Sequence, residues 1–104
     1  MQQENNMSHT QPSPTGVHER RARGFAQKEC GDFISALLSF RHVLRIREHH
    51  VGTPPFSSLR DVAIAHNDIA DVLDDILVQI RNTNEVLEEK YSTESAFHRN
   101  LANA

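Results

Sequence analysis

Apolar residues recur along this chain at helical spacing, and short polar, glycine- or proline-bearing breaks divide them into segments. Between Val17 and Cys30 the stripe is thin, carried by Ala22, Phe25, Ala26 and Cys30 behind a charged start at His18-Glu19-Arg20-Arg21. Gly31-Asp32 supplies the residue types suited to ending one helix and capping the next. From Phe33 to about His49 the apolar positions are Phe33, Ile34, Ala36, Leu37, Leu38, Phe40, Val43, Leu44 and Ile46. That stripe is wide enough for a helix packed on two sides. Gly52 and the pair Pro54-Pro55 stop it, because consecutive prolines cannot continue a helix. Ser57 or Ser58 can cap a third helix, whose seam runs Leu59, Val62, His66, Ile69, Leu73, Ile76, Ile80, Thr83 and Leu87. From Val62 onward these steps alternate three and four.

No glycine or proline follows Pro55, so the third helix is expected to continue to about Tyr91, with a weak point at Asn82 to Asn84. A turn into a fourth helix at that point is the alternative. Ser92-Thr93-Glu94 is expected to start a short further segment with a frayed end, carrying Ala96, Phe97 and Leu101 as its apolar residues. The fold class is therefore all-α: an antiparallel helical hairpin followed by a long third helix that is either continuous or broken near Asn82-Asn84. The chain divides into a polar tail over 1–16, a helical domain over 17–91 and a C-terminal segment over 92–104. The tail has almost nothing to bury, which predicts disorder.

The two-helix unit around Gly31-Asp32 resembles a tetratricopeptide repeat. The residues that carry the likeness are Gly24 and Ala26 on the first helix, the Gly31-Asp32-Phe33 turn, and Ala36, Phe40, Leu44 and Ile46 on the second. A second, incomplete unit follows. Ile46-Arg47-Glu48, Pro54-Pro55 and the run from Leu59 to Leu73 are similar to the long-period variety found in bacterial arrays, with Gly24 and Ala70 as corresponding small positions. Arg23 and Gln27 stand where the family usually has large apolar residues, and no Gly-Asp turn follows Leu73. The resemblance covers about one and a half repeats. It implies close approach of paired helices and a role in binding other proteins.

Composition narrows the chemistry. Of 104 residues 38% are hydrophobic, mean hydropathy is -0.55 and there is no Trp, so the core is expected to be modest. Cys30 is the only cysteine, which excludes an intramolecular disulfide and suits a reducing cytoplasm. It is expected to be a packed structural thiol. No window approaches the length of a membrane span. Charge is unevenly divided: Val17 to His50 holds seven Lys/Arg against four Asp/Glu, and Phe56 to Ala104 holds four against nine.

Seven histidines invite a metal reading, yet His42 and His49 lack a second ligand at helical spacing and no His-Glu-x-x-His occurs. The expectation is no metal and no cofactor. Asp68, Asp71, Asp74 and Asp75 with His66 form an acidic cluster, and Lys28, Arg41 and Arg45 form a basic face that could meet it within the chain or across a dimer. No phosphate loop, nucleophile elbow or Ser/His/Asp set is present, so catalysis is not expected. The leading functional expectation is a protein–protein interaction or scaffolding module with Lys28, Arg41, Arg45, His66, Asp68, Asp71 and Asp75 as partner-binding residues. Phe25, Phe33, Leu37, Phe40, Leu44, Val62, Ile69 and Leu73 would hold the scaffold. The alternatives are a helical protein that dimerises through the seam of its third helix and, with less in the sequence to favour it, a small nucleic-acid-associated regulator; overall acidity and few aromatic residues weigh against nucleic acid.

Overall fold

A computed structural model describes residues 16–51 and 59–103. The expected N-terminal tail and the Gly52 to Ser58 punctuation lie outside the described residues. Within them the chain forms four helices and no strand: α1 (Val17–Glu29), α2 (Phe33–His49), α3 (Leu59–Ile80) and α4 (Glu85–Ala102). No helix is long and apolar enough to cross a membrane among these residues.

The Gly31-Asp32 pair forms the tight junction between α1 and α2. Gly31 takes φ +82°, the left-handed conformation in which a Cβ is strained. Its N–H donates to the Lys28 carbonyl at 3.0 Å and the Asp32 N–H donates to the Gln27 carbonyl at 2.9 Å, closing the end of α1. Asp32 then caps α2, its carboxylate accepting from the Ser35 N–H at 3.3 Å. Two residues therefore end one helix and begin the next, which sends α2 back along α1.

Close approach of α1 and α2 rests on Gly24. A Cβ at this position would stand 2.7 Å from Cε1 of the Phe40 ring, nearer than packed carbon atoms tolerate. Phe40 is itself buried and carries an edge-on contact with Phe25, with ring centroids 5.0 Å apart. Gly24→Ala gains about 1 kcal/mol of helix propensity, but displacing a buried ring costs about 1–3 kcal/mol. The expected result is a lower melting temperature. A higher one would show that the ring relaxes freely.

The core comprises Val17 from α1, Ala36, Leu37, Phe40, Val43, Leu44 and Ile46 from α2, and Ala65, Ile69, Val72, Leu73 and Ile76 from α3. Phe33, Val62, Ile80 and Tyr91 pack at its edge. Seven of the eight expected scaffold residues are thus buried or packed against it, namely Phe33, Leu37, Phe40, Leu44, Val62, Ile69 and Leu73. Phe25 differs. It is 37% exposed, because α1 offers too narrow an apolar stripe to cover it, and the Arg21 guanidinium lies 4.9 Å above its ring. Cys30 is also exposed rather than packed, since it sits at the C-cap where α1 leaves the core.

The continuous third helix expected to reach Tyr91 is corrected to two helices, broken at the weak point. Asn82 adopts φ 64°, a left-handed conformation that asparagine accepts more readily than most residues. Asn84 caps α4 by accepting from the Leu87 N–H at 3.1 Å, and the Glu88 carboxylate accepts from the Asn82 N–H at 2.9 Å. From there α4 runs through Ser92–Glu94 without a fresh start.

Candidate interaction surface

Helix α4 contributes no large fully buried side chain. Its buried residues are Ser95 and His98, and apart from Tyr91 at the edge of the core its attachment is mainly polar. Ser95 Oγ donates to Asp74 at 2.7 Å. Arg99 bonds Asp74, Asp71 at 3.1 Å and Asn67 at 2.9 Å. Arg41 of α2 pairs with Glu94.

At the centre of this contact His66 and His98 meet with Nδ1 atoms 2.8 Å apart, both largely excluded from solvent. One ring must donate and the other accept, so the two rings hold opposite protonation at Nδ1. Their Nε2 atoms face carboxylates on the outer sides, Glu48 at 3.9 Å from His66 and Glu94 at 3.6 Å from His98. Burial pushes both imidazoles below their ordinary value of 6.5. Glu48 opposes the shift at His66; at His98 the neighbouring His66 adds to it, Glu94 opposes it and Arg41 adds to it. The carboxylates sit beyond the rings rather than beside the Nδ1 pair, so the four groups do not converge on one point. Among the described residues no group of three or more His, Cys, Asp or Glu side chains is arranged to hold a metal ion.

The structure places the seven residues expected to bind a partner in three situations. Lys28 and Asp75 form an ion pair at 3.5 Å, Asp68 takes a two-point contact from Arg21 at 2.7 and 3.4 Å, and Asp71 holds Arg99. These contacts join α1 to α3 and α3 to α4. His66 is buried against His98, and Arg41 holds Glu94. Arg45 alone of the seven has no ion pair among the described residues and no buried contact, and it is exposed. Of the basic face, then, only Lys28 meets the aspartate cluster inside the chain.

Arg47, part of the Ile46-Arg47-Glu48 segment, is a buried cation, which its position in the sequence did not signal. Its Nη1 donates to the Asp61 carbonyl at 2.9 Å, while its Nε is buried without a hydrogen-bond partner among the described residues. Desolvation pushes its pKa below the ordinary guanidinium value, Asp61 opposes, Arg21 adds and Asp68 opposes. Because buried ions recover little of their desolvation cost, Arg47→Met is expected to leave stability unchanged or raise it. Arg47→Ala, which leaves a void, is expected to lower it by about 2 kcal/mol. Urea unfolding of the two variants separates volume from charge; equal losses would show that the guanidinium itself stabilises.

An open surface remains on the flank of α1 and α2. Arg20, Arg23, Leu38, Ser39 and His42 line a groove of about 170 Å³. Arg20 Nη1 lies 3.4 Å from His42 Nδ1, and partial burial, then Arg20 and Arg45, hold that imidazole below its ordinary value. Arg23 is exposed and has no ion pair among the described residues. Leu38 is 60% exposed and Ile34, one turn away, is 54% exposed. The four-residue steps from Ile34 to Leu38 and His42, then three to Arg45, were a legible signal of one outward face. The width of the apolar stripe concealed it. No family model, no curated protein and no solved structure matches the chain.

Proposed function

We propose that this chain is a non-enzymatic protein–protein interaction module of tetratricopeptide-like type, working in the cytoplasm. The observation that carries this reading is the contrast between its two sets of charges. The ion pairs of Arg21, Lys28, Arg41 and Arg99 are spent on joining helices. Arg23, which lines the α1–α2 groove with the exposed Leu38, and Arg45 on α2 have no ion pair among the described residues. Exposed apolar side chains rimmed by unpaired cations suit a protein surface of opposite charge. The repeat reading draws support from the buried Gly24 against Phe40, the Gly31-Asp32 junction and the buried Ala70 at the corresponding position of α3.

A photo-crosslinking residue at Leu38, expressed in the native host, tests this. The expected result is a discrete protein adduct that weakens when Arg23→Glu is added. A pattern no different from that of the same probe at exposed Lys90 would count against the module.

A further inference from the structure

We propose that the α1–α2 groove receives helix α4 of a second copy, so that the chain stacks head to tail; this deepens the interaction-module reading and rests on it. Inside one chain the α1–α2 hairpin already stacks on α3–α4 with its basic side against an acidic side. Arg21 reaches Asp68 at 2.7 Å, Lys28 reaches Asp75 at 3.5 Å, and Arg41 reaches Glu94. Each hairpin has a second flank that this contact does not use.

On α1, Arg23 falls about 160° from Arg21 around the helix axis, on the side away from α3, where the groove opens. On α4, Glu85 and Glu89 fall about 180° and 140° from Glu94, the residue that meets α2. Glu85, Glu89, Ser92 and Ala96 share one line along α4 at steps of four, three and four, and all are exposed. Two carboxylates without an ion pair among the described residues therefore stand on one free flank, and Arg23 and Arg45 stand on or beside the other. The small side chains Ser92 and Ala96 let a helix come close to a shallow groove, and Leu38 supplies the apolar floor. The repeated rule is basic flank onto acidic flank, each unit touching only its neighbours as in stacked helical repeats. A second copy satisfies it because it carries both the basic and the acidic flank. The contact is heterologous, so it has no built-in closure.

The test uses the purified chain of residues 1–104 in sedimentation velocity, from low micromolar to near-millimolar concentration, at about 50 mM and about 500 mM salt, where screening differs strongly. The expected result is an average mass that rises with concentration and falls back toward the monomer at high salt. Arg23→Gln with Arg45→Gln removes one flank, and Glu85→Gln with Glu89→Gln removes the other. Each variant alone is expected to stay monomeric, and an equimolar mixture to stop at a dimer, since one native contact per pair survives. All four positions are exposed, and circular dichroism melting confirms folding. Wild-type chain that stays monomeric throughout, variants that associate like wild type, or a mixture that does not combine overturns the stacking. Monomeric chain whose Leu38 probe still captures a foreign protein overturns stacking while leaving the module reading intact.

Discussion

Ala36→Arg is expected to leave the chain unfolded at room temperature. Ala36 is completely buried in α2, in the same cluster as Leu37, Phe40 and Val43. An arginine there must either bury an unpaired guanidinium or push α2 off its neighbours, and either costs several kcal/mol. A chain of this length has only about 5–10 kcal/mol of stability to lose. Ile34→Arg, two residues earlier on the same helix, is the matched control. Ile34 is 54% exposed, so its substitution is expected to change stability by no more than about 0.5 kcal/mol. Circular dichroism of both variants reads the outcome. A cooperative melt for Ala36→Arg near that of the wild type would mean that α2 does not present this face to the core.

The second large effect is loss of stability in mild acid. His66 and His98 are held below the ordinary imidazole value of 6.5, so in the fold they remain neutral at a pH where the unfolded chain has already bound protons. The stabilising difference is complete above about pH 6.5 and is lost as pH falls from there toward the lowered folded values. Each imidazole in that window contributes a slope of about 1.4 kcal/mol per pH unit. Geometry gives the reason. One added proton can sit on an Nε2 facing Glu48 or Glu94, but charging both rings sets N–H against N–H across 2.8 Å. Since α4 is attached mainly by polar contacts, it is the element expected to detach first.

Urea unfolding between pH 8 and pH 5 measures this slope. His42 also titrates low and is replaced by Gln in both chains compared, so that the buried pair is read alone. Replacing both His66 and His98 by Leu is expected to flatten the profile while changing stability at pH 8 only modestly, because removing both partners leaves neither unsatisfied. Parallel slopes in the two chains would mean that the pair does not govern acid sensitivity.

Local chemistry determined much of this fold. The junction at Gly31-Asp32 and the bounds of α2 follow from capping residues and apolar spacing, which act over a few positions and need no tertiary partner. The seam of α3 was equally legible, since Val62, His66, Ile69, Leu73 and Ile76 recur at helical spacing. What the seam faces was not. It packs within the chain against α2 and α4 rather than lying open.

The break at Arg81 to Asn84 shows where local reasoning runs out. A continuous helix and a turned one differ little in intrinsic preference at Asn82, and the choice falls to contacts that pay only when α4 folds back: Ser95 on Asp74, Arg99 on Asp71, His98 on His66. Apart from His66, those residues lie off the apolar seam, so hydrophobic spacing could not register them. The same limit applies to the surface. Sequence alone identified the basic and acidic halves and named Lys28, Arg41, Arg45, His66, Asp68, Asp71 and Asp75 among their members. Only the tertiary structure decided which charges neutralise one another across helices, because pairing depends on distances between residues 47 or 53 positions apart. It left Arg23 and Arg45 on one flank and Glu85 and Glu89 on the other.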